Sequence, residues 1–233
     1  MKNKLFKFEQ NKTFPNFFEP KLDFLKKEDF YLKSVWKDNF FKNNNSIIVE
    51  LGCGKGEYSV ELAKKFPQKN FIGIDIKGAR MWKGANDSQE QNITNIAFVR
   101  TRIEFTPLYF SNSEISEIWI TFPDPQLRHR KRIKKRLTST IFLGYYQKFL
   151  INNGIINLKT DDDTLYNYTK EIIKLNSLEV LVDTNNLYES EFYDDILSIK
   201  TYYEKMWNKE NKTIKYLRFL LPNDKILIEP QID

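Results

Sequence analysis

The chain is poor in the residues that carry most metal and covalent chemistry. One cysteine, Cys53, and one histidine, His129, occur among 233 residues. An internal disulfide is excluded, and no set of thiols and imidazoles exists to hold a metal ion. No apolar run approaches the roughly 20 residues needed to cross a bilayer, and Met1 to Lys7 lack the apolar core of a secretory signal. These absences predict a soluble, cytoplasmic protein that needs no metal and has no membrane partner. Internal repeats, low-complexity tracts and Pro/Gly linkers are also missing. The expected organisation is a single globular unit: an aromatic, Lys-rich arm with one helix near 23–41 occupies residues 1–45, and one α/β domain follows over 46–233.

Glycine is scarce too, eight in all, yet three lie within five positions. The run Ile47-Ile48-Val49-Glu50-Leu51 passes directly into Gly52-Cys53-Gly54-Lys55-Gly56. An apolar run of this length reads as a buried parallel strand, and glycines two apart let the backbone turn tightly and approach a ligand. A second apolar run, Asn70-Phe71-Ile72-Gly73-Ile74-Asp75, also ends on an acid. An acid at the carboxyl end of the second strand of a doubly wound sheet can accept hydrogen bonds from ribose hydroxyls. Together they mark a site for a nucleoside cofactor.

The glycine spacing separates the cofactors. Dinucleotide sites use G-x-G-x-x-G and rest a pyrophosphate on the helix N-terminus. Here the pattern is G-x-G-x-G, with Glu50 before it and Glu57 after it. Carboxylates there repel a pyrophosphate but suit a ligand with ammonium and sulfonium charges and no phosphate. S-adenosylmethionine is such a ligand, so a methyltransferase is favoured over a nicotinamide enzyme or an ordinary ligand-free turn. Cys53 reads as a small residue packed in this turn.

The charge is concentrated in one place. Arg128, Arg130, Lys131, Arg132, Lys134, Lys135 and Arg136 form a run with no acid; without them, 30 basic residues face 31 acidic ones. Such a block by itself describes a solvated loop as readily as a binding surface. Its position favours the second. Strands are expected near 46–51, 70–75, 96–100, 115–121, 154–159, 178–182 and 213–220, the last pair antiparallel, with helices near 57–66, 78–90, 138–150, 162–175 and 200–208. That alternation predicts a Rossmann-like α/β fold with a seven-stranded, mostly parallel sheet and helices on both faces. The fourth strand ends in Phe122-Pro123-Asp124-Pro125, where flanking prolines restrain Asp124 at the ligand-binding edge, and the basic run begins four residues past Asp124. A rigid acid beside a cationic loop points to nucleic-acid contact.

The chain resembles the bacterial tRNA (guanine-N(7)-)-methyltransferases, which use S-adenosylmethionine, over roughly residues 46–220. The resemblance rests on VELGCGKG at 49–56, IGIDIKGA at 72–79, ITFPDP at 120–125 with its trailing basic run, LKTD at 158–161 and TYYE at 201–204. It implies a class I methyltransferase domain that acts on tRNA, at the variable-loop guanine of position 46, as a monomer or homodimer. Cofactor contacts fall to Glu50, Gly52, Gly54, Asp75 and Asp124, with Asp75 on the ribose, Glu50 near the methionine end and Asp124 as the catalytic residue between cofactor and base. Substrate contacts fall to Arg128, Asp161 and the segment Thr201, Tyr202, Tyr203 and Glu204, while Arg130, Lys131, Arg132, Lys134, Lys135 and Arg136 grip RNA. Two positions depart from the family: Gln126 stands where many members have tryptophan, and Arg100-Thr101-Arg102 stands where many have an adenine-binding acid or amide. Backbone contacts from Thr101 and Arg102 are the expected substitute.

Other readings of single residues stay open at this level. Glu50 can cap the turn after its strand, Asp161 and Asp163 can serve as the negative start of a helix, and Glu204 can lie on the surface of the last helix. For the whole chain the competitors are a methyltransferase acting on protein, metabolite or another base, a nicotinamide oxidoreductase, and a catalytically silent RNA-binding subunit.

Overall fold

The computed structural model describes residues 3–25, 27–127, 130–210 and 212–231, without the side chains of residues 22, 24, 130–132 and 203. The chain divides into two compact units, 1–115 and 116–233.

In the first unit, β1 (Phe17–Phe18), β2 (Ile47–Leu51), β3 (Asn70–Asp75) and β4 (Ile96–Arg100) form a parallel array in the order β1-β4-β3-β2. All five residues of β2 are buried, as a strand covered on both faces requires. Each such aliphatic side chain contributes about 1.5–3 kcal/mol of burial. Register sets Val49 against Ile72 and Ile72 against Ala97. The helix α3 (Glu57–Lys65) follows β2, with Glu57 in its first turn and Lys64 and Lys65 in its last, the charge order that a helix dipole favours. The next helix, α4 (Gly78–Glu90), follows β3.

The arm departs from the single helix expected over 23–41. It contains α1 (Lys4–Asn11), the four-residue α2 (Leu22–Leu25) and a π-helical turn at Trp36–Phe41 bounded by left-handed Ser34 and Lys42. Tertiary partners override the helical spacing. Phe18, Phe30, Trp36 and Phe40 pack edge-on or tilted against one another, the Trp36 indole N–H donates to Tyr109 O (3.0 Å), and Phe30 N donates to Leu108 O. The arm also supplies β1, so eight strands are present among the described residues where seven were expected. Residues of α1 meet α4: Asn11 Nδ2 donates to Gly78 O (2.9 Å) and Trp82 Nε1 to Gln10 Oε1 (2.8 Å).

The second unit carries β5 (Ile115–Thr121), α5 (Thr140–Tyr146), β6 (Leu150–Thr160), α6 (Asp163–Leu175), β7 (Val180–Thr184), α7 (Tyr202–Lys209) and β8 (Lys215–Leu221), with strands in the order β5-β6-β8-β7. Both β6 and β7 run antiparallel to β8. The strand β6 is longer than its expected span and α5 shorter, because Phe149 and Leu150 are buried at the strand start instead of continuing the helix. Its apolar positions are interrupted by the buried polar side chains of Asn157, Lys159 and Thr160, and Asn157 bridges Glu117 (2.8 Å) and the Tyr216 hydroxyl (2.6 Å). The C-terminal tail is tied down where Glu229 accepts from Thr140 N (3.0 Å) and from the Tyr168 hydroxyl, and where Asn176 and Ile228 exchange two hydrogen bonds.

Candidate active site

The glycine turn of the first unit has all three glycines in the left-handed region, with φ of 76°, 57° and 73° at Gly52, Gly54 and Gly56. A Cβ at Gly52 would meet nothing within 4 Å, whereas one at Gly56 would strike Phe98 at 2.6 Å. Gly56 therefore serves packing and Gly52 leaves the turn open. The turn is wired to β3. Gly52 N and Cys53 N both donate to Ile74 O, and Gly54 N donates to Asp75 Oδ2 (2.9 Å). Asp75 Oδ1 accepts from Lys77 N (2.7 Å), so both carboxylate oxygens are oriented by amides while each keeps capacity for a further donor.

Glu50 is 3 % exposed, and its Oε2 accepts from Ser59 N (3.0 Å) and from the Ser59 hydroxyl. Ser59 is the third residue of α3, so Glu50 satisfies one of the amides that a helix leaves unpaired at its start. A pyrophosphate would have to compete with that buried carboxylate. Burial, together with the Glu50 and Asp75 charges, pushes the Cys53 thiol well above its ordinary range, which suits a packed residue and not a nucleophile.

Thr101 is buried and its N–H donates to Asp75 O (3.1 Å), while Arg102 O accepts from Phe105 N (3.0 Å). The exposed Arg102 guanidinium meets Glu104 Oε1 at 2.8 Å. Two of the four main-chain polar groups expected to contact adenine are thus already engaged within the protein.

In the second unit, β5 gives way to a loop held in several places. Phe122 has φ of 49° and donates its N–H to Lys159 O (2.8 Å). Asp124 is exposed, and its Oδ1 accepts from Gln126 N (2.9 Å), closing a turn with Gln126 at φ 57°. Pro125 O accepts from Arg136 Nε (3.0 Å).

The basic run does not behave as one surface. Arg128 lies outside the described residues, as do the side chains of Arg130, Lys131 and Arg132, although the backbone of Arg130–Lys135 forms a 3-10 helix. Lys134 and Lys135 are exposed. Arg136, expected to grip RNA, is 4 % exposed and lies over the Tyr168 ring at 4.5 Å. That expectation is corrected: Arg136 is a structural anchor turned away from solvent.

Three consecutive acids at the start of α6 divide their labour. Asp162 is the N-cap and accepts from Leu165 N (2.7 Å), Asp163 meets Lys215 Nζ at 3.0 Å, and Asp161 stands one residue before the cap. Asp161 is half-buried; its carboxylate lies 3.5 Å from Lys212 Nζ and its carbonyl accepts from Lys215 Nζ (3.0 Å). It is not needed to cap the helix.

Thr201 is the N-cap of α7, accepting from Glu204 N (3.2 Å). Tyr202 is exposed, and the Tyr203 side chain lies outside those described. Glu204 is fully buried, which corrects the surface alternative. It meets Lys159 Nζ at 2.7 Å and accepts from the Tyr188 hydroxyl (2.6 Å), and burial beside that carboxylate pushes the Tyr188 phenol upward. Sequence reasoning assigned nothing to Lys159 or Ser59. A lysine directly after the mostly apolar strand segment Ile155-Ile156-Asn157-Leu158 was the available signal for the first.

Residues 44–217 match a family model described as a putative methyltransferase. A tRNA (guanine-N(7)-)-methyltransferase of Bacteroides fragilis is 50% identical over 232 residues, covering 100% of this chain and 91% of the relative. Another protein of that name, from Christiangramia forsetii, is 47% identical and covers 94% of this chain and 97% of its own length. Among solved structures, the 16S rRNA methyltransferase KamB aligns with a TM-score of 0.60 at 10% identity, over 79% of this chain and 92% of that one. At that identity the likeness speaks for the fold.

Proposed function

This chain belongs to the tRNA (guanine-N(7)-)-methyltransferase family, and from that premise we propose that it methylates the 7-nitrogen of a tRNA guanine, the variable-loop guanine at position 46, using S-adenosylmethionine. The observation that carries the cofactor half is the pairing of two acids. Asp75 is held on Gly54 N with room for a ribose diol, and Glu50 fills the α3 amide where a pyrophosphate would otherwise rest. The residues present therefore fit a nucleoside cofactor that is cationic and free of phosphate. Adenine contact falls to the groups not engaged above, the Thr101 carbonyl and the Arg102 N–H.

S-adenosylmethionine supplies an electrophilic methyl group: the guanine N7 lone pair forms the new carbon–nitrogen bond as the carbon–sulfur bond breaks with its electron pair left on sulfur. N7 carries no proton, so no residue has to act as a base, and the scarcity of histidine and cysteine is no obstacle. The product purine is cationic. What the protein must provide is in-line placement and negative potential for that charge. We assign both to Asp124, whose carboxylate is restrained by the Gln126 amide and whose loop is held by Phe122 and Arg136. Asp161, free of capping duty, is assigned to the donor-rich Watson–Crick edge of guanine, an interaction that rejects adenine. Exposed Lys134 and Lys135, with Arg128, Arg130, Lys131 and Arg132, are assigned to tRNA phosphates.

Asp124→Asn tests the assignment. The substitution keeps shape and removes charge, so single-turnover methyl transfer should fall by about 100-fold or more with tRNA and cofactor affinities little changed. A normal single-turnover rate would reduce Asp124 to a loop residue.

A further inference from the structure

The second unit contains an ion pair that the proposed chemistry does not use. Lys159, on β6, and Glu204, on α7, face each other at 2.7 Å with both side chains 0% exposed. Lys159 Nζ also donates to Leu197 O (2.8 Å) and Ile199 O (3.3 Å), two carbonyls in the stretch that leads into Thr201. On the other side of the pair, Tyr188 donates to Glu204 Oε1, Tyr193 packs edge-on against Tyr188 at 5.2 Å, and Lys200 lies over the Tyr188 ring at 4.8 Å.

Stability does not account for this arrangement. Taking two charges out of water costs several kcal/mol for each ion, recovered only where every polar atom finds a partner. Here Glu204 Oε2 is buried with no hydrogen-bond partner among the described residues, and so is Asn208 Oδ1 one turn further along α7. Burial pulls the Lys159 ammonium downward while the Glu204 carboxylate opposes that shift. An apolar pair of similar volume would serve folding as well or better.

The position of Lys159 supplies another reason for it. Its carbonyl accepts the Phe122 N–H at the root of the Asp124 loop, Asp161 follows it by two residues, and its ammonium fixes the stretch entering Thr201 and α7. The root of the Asp124 loop and the stretch entering α7 are thus both bonded to one residue, and Asp161 lies two positions beyond it. We propose that Lys159, acting with Glu204, is a positioning residue for methyl transfer: the pair sets the Thr201–Glu204 element in register with Asp161 and with the loop that carries Asp124. The inference rests on the tRNA-methylation reading. Glu204 acts through Lys159 and need not touch the base.

The test is the double variant K159M/E204L, which removes both charges and keeps an apolar filling. Its melting temperature should equal or exceed that of the parent, because a buried pair is replaced by packing. Cofactor affinity should be unchanged, and tRNA affinity should change by less than about threefold, since phosphate contacts dominate it. The single-turnover methylation rate should fall by roughly 10- to 100-fold, the effect of a small misplacement of reacting groups. A stable double variant with a rate within about twofold of the parent would overturn the proposal. Should that variant not fold, Glu204→Gln keeps the shape and removes only the charge; its rate must then fall with tRNA affinity kept, and an unchanged rate overturns the proposal equally. Amide exchange at Phe122, Asp124 and Gln126 and over 197–204 separates the two levels of inference. If the parent methylated no tRNA, the activity would be refuted, while faster exchange in the double variant would still establish the positioning role and unaltered exchange would refute it.

Discussion

Arg136 donates through Nε to Pro125 O at 3.0 Å, so the last cation of the basic run holds the loop that carries Asp124. Its guanidinium lies over the Tyr168 ring, and the Tyr168 hydroxyl is in turn held by Glu229 of the C-terminal tail. A segment that reads as one block of positive charge is therefore divided. Its interior meets solvent at Lys134 and Lys135, and its end belongs to the core.

That division is measurable. Arg136→Gln removes a charged hydrogen bond and a cation–ring interaction, lowering stability by about 2–4 kcal/mol. The melting temperature should fall, and the salt dependence of tRNA binding should keep the parental slope. The double substitution Lys134→Gln and Lys135→Gln should do the reverse: stability is kept, but the slope drops by roughly one for each phosphate no longer neutralised. Equal salt slopes for parent and double variant would remove these lysines from the RNA surface.

Asp75→Ala should weaken cofactor binding by roughly tenfold to a hundredfold, because a charged hydrogen bond to ribose is worth about 1.5–3 kcal/mol. The variant also frees Gly54 N, whose present acceptor is Asp75 Oδ2. Calorimetric titration with S-adenosylmethionine measures the loss. Parental affinity would mean that the ribose is held elsewhere.

Cys53 offers a test based on pH. Burial, reinforced by Glu50 and Asp75, raises its thiol well above the ordinary range, so the neutral form persists through the pH interval in which a free thiol ionises. Iodoacetamide should then label the native protein slowly at pH 8 to 9 and the denatured protein rapidly. Bound cofactor should not accelerate the native reaction. Rapid native labelling would place Cys53 in an open, activated environment.

Much of this was legible from residue order. Three glycines two apart after an apolar run specify the turn, and an acid ending the second strand specifies Asp75, because both signals are local. The arm was not legible as four short elements, since Phe18, Phe30, Trp36 and Phe40 are assembled by contacts between separate segments. The burial of Arg136 and Glu204 was not legible, for a shared reason. Charge in a sequence signals solvent by default, and the partners that make burial possible, Pro125 O and Lys159 Nζ, lie on other elements. With Asp161, Asp162 and Asp163 adjacent, composition cannot choose the cap; the 2.7 Å bond from Leu165 N to Asp162 decides it.

The central claim is the transfer of a methyl group to guanine N7 in tRNA. The purified protein, incubated with unmodified tRNA and S-adenosylmethionine carrying an isotopically labelled methyl group, should yield labelled 7-methylguanosine on nuclease digestion and mass spectrometry. Oligonucleotide mapping should place it at the variable-loop guanine of position 46, and guanine replaced by adenine there should abolish the label. Label in any other nucleoside, or none in tRNA while the cofactor binds normally, would contradict the account.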